Sequence, residues 1–421
     1  MASRRTVFTG LGIFSPLGLN VASLWDGMTA GKSGIRPISA FDASSFAVKF
    51  GGELPAFDAK TFFEKKDRKS LKMMARPIQI GVGCANLTMA DTGIDRSKLD
   101  PTRFGCEFGS SLIPTEVDDL VPAGNVSYHG VPGEIDLRRW GTEAIPSMPP
   151  LWMLKFLPNM VACHVSIMHD AQGPNNSITE TDAAGLLAIG EAYHILRRDQ
   201  ADFFLCGASD SKLNILSVAR HCMFSKLSKR NDDPAGASRP FDKARDGWVL
   251  AEGAGVLALE ELEHAKRRNA KIYGELAGFG SAFDRNLDGT GIARAIKTAM
   301  SQANVSPSDV DHVNAHGDST VENDAWEARG IHAVFGNEVP VFAAKSYLGN
   351  MSSAGGPVEL AASLLALQHG TLPATLNYNE ADPSCPVRVL REPRKVTKPY
   401  AVKISLTEMG QVAAAVIRKW E

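Results

Sequence analysis

The stretch from Asn176 to Gly207 constrains this chain most. An apolar run ends at Asn176-Ser177-Ile178-Thr179, breaks at Glu180-Thr181-Asp182, and passes into a long amphipathic pattern. From Ala183 to Arg198 the apolar residues Leu186, Leu187, Ile189, Ala192, Ile195 and Leu196 recur at helical spacing. Ala201-Asp202-Phe203-Phe204-Leu205-Cys206-Gly207 then reads as a buried strand. A turn feeding a helix and then a strand is an α/β unit. The turn at Asp182 is where α/β enzymes commonly hold a nucleophile, because N–H groups at a helix N-terminus and the helix dipole stabilise negative charge.

The chain has 421 residues, enough for one large two-lobed unit or two domains. Lys plus Arg number 45 and Asp plus Glu 47, a net charge of -2 that argues against nucleic acid as an electrostatic partner. No uninterrupted apolar run reaches membrane-spanning length. Met1-Ala2-Ser3-Arg4-Arg5 has only a short apolar run behind it and reads as the lead-in to a strand, not a signal peptide. Cys84, Cys106, Cys163, Cys206, Cys222 and Cys385 are scattered, with no CxxC and no zinc spacing, so reduced thiols in a cytoplasmic protein are expected.

Thr6-Val7-Phe8-Thr9-Gly10-Leu11-Gly12 is a strand running into glycines, but the dinucleotide-binding spacing is absent and no acidic residue ends a second strand. No cofactor is expected. The basic run Glu64-Lys65-Lys66-Asp67-Arg68-Lys69-Ser70-Leu71-Lys72 opens a helix expected to reach about Asp91, and a solvated helix face suffices to explain it. Residues 112–150 are rich in Pro and Gly and read as surface loops with short helical pieces. Pro150 to His169 is apolar and helical in character, with Met153, Met160 and Met168 suited to core packing. After about residue 265 a second α/β half is expected. Its strands are placed near Ile272–Phe279, Val310–Ala315 and Val341–Ala344, with a final hairpin from Val387 to Lys419.

Several phrases are familiar: Gly10-Leu11-Gly12, Ser15-Pro16-Leu17-Gly18, Gly173-Pro174 before the turn, and Ser238-Arg239-Pro240-Phe241-Asp242-Lys243-Ala244-Arg245-Asp246-Gly247. With Asn314-Ala315-His316-Gly317 and Glu252-Gly253-Ala254-Gly255, they resemble the β-ketoacyl synthases, the condensing enzymes of fatty-acid and polyketide synthesis. The resemblance runs over nearly the whole chain, to the elongating type II branch. It implies the thiolase-like fold, α/β, with duplicated βαβ halves in a five-layered α-β-α-β-α architecture. The halves would be 1–262, with a cap and dimer insertion at about 112–168, and 263–421. It also implies that Lys65, Lys66, Arg68 and Lys69 help receive an acidic acyl carrier protein, which a cationic patch would steer.

In that family the turn carries a nucleophilic cysteine, and the matching position here is Asp182. Of the two histidines that drive decarboxylation of malonyl thioester, His316 is retained, whereas the second falls on Asn350, after Lys345 and ahead of Glu359. The threonine expected after Gly317 is Asp318, and the C-terminal gating turn reads Ser405-Leu406-Thr407-Glu408-Met409-Gly410-Gln411. A carboxylate is a poor nucleophile toward a thioester, and Asn350 cannot serve as acid or base near neutral pH. Each loss is expected to cost a few powers of ten, which excludes independent condensation.

Asp182 has a second reading as the N-cap of the helix behind it, worth roughly 1 kcal/mol. Glu180, Asp182, Asp318, Glu408 and Met409 are expected to line an acidic pocket, in which Lys345, beside Glu359, would join Asp182 or Asp318 in a charge network. With one histidine only, no metal site is expected. The resemblance then points to a chain-length-factor, or ketosynthase-β, subunit: a non-condensing partner in a heterodimer with a cysteine-bearing ketosynthase, served by acyl carrier protein. A malonyl-carrier decarboxylase and a homodimer with a remodelled pocket stay open beside it.

Overall fold

Ten segments of this chain pair into one mixed sheet. The computed structural model describes residues 4–421. The first five strands are β1 (Thr6–Phe14), β2 (Phe104–Ser110), β3 (Asn175–Thr179), β4 (Phe203–Ser211) and β5 (Glu252–Glu261). The second five are β6 (Gly274–Phe283), β7 (Val310–Asn314), β8 (Val341–Phe342), β9 (Tyr400–Leu406) and β10 (Gln411–Lys419). The sheet order is β8-β7-β9-β10-β6-β1-β5-β4-β2-β3. Each set of five therefore has the same internal order, third-second-fourth-fifth-first, and the same directions. The second strand pairs parallel with the third and fourth, and the fifth pairs antiparallel with the fourth and first. The sets meet at a short antiparallel seam, Thr6 opposite Leu276 and Phe8 opposite Gly274.

Six long helices cover these strands: α1 (Arg76–Asp91), α2 (Met160–His169), α3 (Ala184–Arg197), α4 (Thr290–Ala303), α5 (Val321–Phe335) and α6 (Gly355–His369). α1 lies on β1, β4 and β5, and α4 on β6 and β10, as the two outer layers. α3 and α6 follow the third strand of their sets and touch strands of both, so they form the middle layer of a five-layered thiolase-like α/β fold. α6 is buried from Gly355 to Leu367, as a helix apolar on all sides must be. β4 and β5 are buried along their full length and read as apolar runs, not as alternation.

Two element expectations are corrected. The basic run does not open a helix continuous to Asp91. Asp67–Met73 is a 3₁₀ turn, the chain extends at Ala75, and α1 starts afresh at Arg76. Pro77 requires this, since its ring is tolerated in a first helical turn but clashes in an interior. The hairpin does not begin at Val387: Pro393 and Pro399 interrupt that segment, and the ladder forms only from Tyr400. Residues 112–150 hold a helix, Val117–Ser127, and shorter turns. All six cysteines are free.

Candidate active site

The chain turns at the C-terminal end of β3, through a 3₁₀ turn at Thr181–Ala183, into α3. Thr181 holds φ at 40°, a conformation that a β-branched residue adopts only when its surroundings enforce it. They do. The turn is pressed against β2 so closely that a Cβ on Gly109 would lie 2.3 Å from Gly185 N, and one on Gly185 would lie 2.3 Å from Ser353 O. The residue at the tip of this strained turn is Asp182.

Asp182 does not cap α3. Ala183 is the capping residue and makes no side-chain cap bond. Asp182 Oδ1 is buried with no hydrogen-bond partner among the described residues. Burial pushes its carboxyl up to about 6, opposed chiefly by the positive charge of Lys345. Glu180, half-buried, also makes no cap bond.

Facing this turn is a buried charge cluster. Lys345 Nζ donates to Glu359 Oε1 at 2.8 Å, to the His316 carbonyl at 3.0 Å, and to His316 Nδ1 at 3.2 Å. The other Glu359 oxygen takes Lys403, whose Nζ also donates to the Ala315 carbonyl at 3.0 Å. Burial lowers Lys403 to about 8 and holds His316 well below its ordinary range, with Lys345 and Lys403 adding to the latter effect. His316 is therefore a neutral imidazole, with its Nδ1 lone pair facing the Lys345 ammonium. Glu327, on α5, accepts from His316 N at 2.6 Å and Gly317 N at 2.7 Å, and burial raises it to about 7.

The expected charge network joins Lys345 to Asp182 only through space, with no hydrogen bond or ion pair from Lys345 to Asp182 or Asp318 among the described residues. Lys345 is committed to Glu359 and His316, and reaches Asp182 only across space. Asp318 is committed locally, accepting from Thr320 N and Thr320 Oγ1 at 2.8 Å each and from Asn323 Nδ2 at 2.7 Å. A short local loop offers Asp318 these donors at no cost in reach, so it shares no hydrogen bond with Asp182, although its charge helps raise the Asp182 carboxyl across space. Asn350 accepts from Ser352 N at 2.8 Å through Oδ1, and its turn packs against the Asp182 turn. Glu408 and Met409 stand exposed at the tip of the β9–β10 turn and line no buried pocket. Lys65, Lys66, Arg68 and Lys69 are exposed, or partly so, with Lys66 paired to Glu64 at 3.1 Å.

Two charged residues of the cluster, Lys403 and Glu327, were not expected from the sequence. Each had a signal: a lone lysine in the apolar strand Ala401-Val402-Lys403-Ile404, and a lone glutamate in Ala325-Trp326-Glu327-Ala328. A second polar cluster lies under the turn. Lys212 Nζ donates to Ser111 Oγ at 2.5 Å and lies 3.1 Å from Asp210 Oδ2, which also accepts from Ser111 Oγ at 2.5 Å and Ser353 Oγ at 3.3 Å. No group of three or more His, Cys, Asp or Glu side chains placed to hold a metal occurs among the described residues.

Residues 3–265 match the β-ketoacyl synthase N-terminal domain and residues 273–379 its C-terminal domain. The chain belongs to the β-ketoacyl synthase family. It is 35% identical over 401 residues to 3-oxoacyl-[acyl-carrier-protein] synthase 2 of Coxiella burnetii, covering 91% of each chain. It is 36% identical over 393 residues to the tetracenomycin polyketide synthase ketoacyl synthase alpha subunit of Streptomyces glaucescens, covering 91% of this chain and 89% of that one. Among solved structures, the ishigamide ketosynthase/chain length factor superposes with a TM-score of 0.87 at 28% identity, covering 100% of both chains. A type II polyketide ketosynthase in complex with its acyl-carrier protein, AntDE:AntF, superposes with a TM-score of 0.85 at 29% identity, again over 100% of both. As a member of this ketosynthase family the chain is involved in fatty-acid or polyketide synthesis. In this β-ketoacyl synthase homologue the strained turn presents a carboxyl at its tip.

Proposed function

We propose that this chain is a non-condensing ketosynthase homologue, a chain-length-factor-like partner of a cysteine-bearing ketosynthase. The observation that carries the reading is Asp182 on an otherwise intact turn, where a buried carboxyl offers no thiolate and Asn350 offers no proton transfer. The likeness to a ketosynthase/chain length factor supports it, while the synthase 2 relatives leave condensation as the reading it must defeat. In this reading the chain divides at 262/263 and 112–168 contributes to the subunit interface. Lys65, Lys66, Arg68 and Lys69 face an acidic carrier protein, and the protein works in the cytoplasm. No helix among the described residues is long and apolar enough to cross a membrane.

Carrier-protein mass spectrometry tests it. The purified chain is mixed with acyl- and malonyl-loaded carrier protein. An unchanged mixture, together with co-purification of a cysteine-bearing homologue on co-expression, is the expected result. An elongated product from the chain alone overturns the proposal. Acetyl-carrier without elongation selects the decarboxylase alternative, which the retained neutral His316 favours.

A further inference from the structure

At the seam between the two five-strand sets lies a cavity of about 190 Å³, lined by no residue of the Thr181–Ala183 turn. Its wall includes Arg4, Arg5, Arg197 and Arg418, with Glu275 as the one carboxylate. The fold gathers them. Arg4 and Arg5 precede β1, Glu275 and Arg418 face each other across the β6–β10 ladder, and Arg197 ends α3. Arg4 is committed to Asp199 at 2.8 Å and Asp202 at 2.5 Å, outside the cavity wall. Arg5 forks onto Glu275 at 2.7 and 2.6 Å, and Arg418 reaches the same carboxylate only at 3.9 Å. Arg197 donates to the Tyr193 hydroxyl at 2.9 Å. Arg5 and Arg418 thus share a single carboxylate at the edge of a small space.

A second observation points to what fills it. Thr6, in the same wall, is 1% exposed, and its Oγ1 has no hydrogen-bond partner among the described residues. A buried hydroxyl without a partner is costly, and this one belongs to a residue in the same wall as Arg5 and Arg418. A ligand offering several acceptor oxygens and negative charge satisfies both deficits. A guanidinium fork matches the oxygens of a phosphate better than any other common side chain does. We propose that this seam cavity is an oxyanion site of phosphate type, held by Arg418 and Arg5 and completed by the Thr6 hydroxyl. The source is either free phosphate or the phosphate of a small phosphomonoester. The proposal is independent of the reading of Asp182.

The test is calorimetric titration of the full chain with inorganic phosphate and, separately, with glycerol 3-phosphate, at fixed ionic strength set by sodium chloride, because exposed charge is screened by salt. Saturable binding of either probe is expected. Tighter binding of glycerol 3-phosphate assigns the site to organic phosphates, and tighter binding of inorganic phosphate assigns it to the free ion. Arg418→Gln, at a partly exposed position away from the catalytic turn, is expected to weaken binding about tenfold, the loss of one charge-assisted contact. Thr6→Val keeps the side-chain shape and is expected to weaken it about tenfold, the loss of one hydrogen bond to a charged acceptor. No saturable binding of either probe overturns the proposal, as does Arg418→Gln binding phosphate like the parent chain. A phosphate-dependent rise in melting temperature, matched by no rise with chloride, is the second readout should a variant fold poorly.

Discussion

Asp182 stands at the tip of the strained turn, and its surroundings are not built around a carboxylate. Its Oδ1 lacks a partner among the described residues, and burial lifts the carboxyl from its ordinary 3.8 to about 6. A carboxyl that holds its proton more tightly in the folded chain stabilises the fold only when protonated. That contribution is complete below about pH 4, falls as pH rises through about 6, and is gone above it. Replacing Asp182 with Asn removes the penalty. Asp182→Asn is expected to be more stable than the parent at pH 7 by at most about 3 kcal/mol, since each tenfold change in proton affinity is worth about 1.4 kcal/mol, and nearly equal at pH 4. Urea denaturation at both pH values checks this, and an unchanged difference between them contradicts it. The same residue separates two steps of chemistry. Asp182→Cys places a thiol at a helix N-terminus, where its thiolate is favoured. This variant is expected to take an acyl group from acyl-carrier protein, read as a mass increment on the chain, yet to make no elongated product until Asn350→His is added. The carboxyl at the turn was legible in the sequence because the residues around it are so distinctive. What Asp182 does instead was not, since a capping role depends on whether the helix starts at residue 183 or 184, and sequence resolves that boundary poorly.

The helix α6 carries the longest-range consequence. Glu359 sits wholly buried on it and joins Lys345 to Lys403 on β9, while its carbonyl accepts from Asn314 Nδ2 on β7 at 2.6 Å. This one residue thus ties the middle helix to two strands of the second set, to β9 by its side chain and to β7 by its carbonyl, and reaches His316 through Lys345. Glu359→Gln leaves two buried ammonium groups without a counter-charge, for which a loss of roughly 3–5 kcal/mol is expected. Adding Lys403→Met removes one orphaned charge and should restore a substantial part. Thermal denaturation of parent, single and double variants decides this, and a double variant no more stable than the single one contradicts the shared-carboxylate account. The elements themselves were readable where the pattern was strong: α3 from its apolar spacing and β4 from its apolar run. They were misread where proline acts locally, at Pro77 and between Val387 and Tyr400. The Lys403–Glu359 bond was missed because it joins positions 44 apart on elements whose packing is decided only by the whole fold. A lysine at the centre of an apolar strand was nonetheless a visible sign of a buried partner.

Across the whole molecule, the two sets of five strands repeat one topology, yet their outermost strands meet different fates. β8 is buried at one edge, while β3 at the other is half-exposed along Asn175–Thr179. Against that edge packs α2, on which Ile167 stands 78% exposed, and Leu137, Ile145, Leu151 and Met153 of the segment before it are exposed as well. An unpaired strand edge beside exposed apolar side chains is a surface that proteins ordinarily cover. In the proposed reading a ketosynthase subunit covers it. Ile167→Asp places a charge where such an interface would exclude water while touching none of the catalytic turn. Its melting temperature as an isolated chain is expected to stay within a degree or two of the parent, since exposed substitutions usually change stability by under about 0.5 kcal/mol. Its association with a cysteine-bearing homologue, measured by sedimentation velocity of the mixed chains, is expected to weaken at least about tenfold, because an unpaired charge buried at an interface costs more than about 1.4 kcal/mol. Full association of the Ile167→Asp chain would place the partner surface elsewhere. A parent chain that self-associates instead, and is dispersed by the same substitution, would make the covered edge a homodimer's and leave this chain without the cysteine-bearing partner that the proposed reading requires.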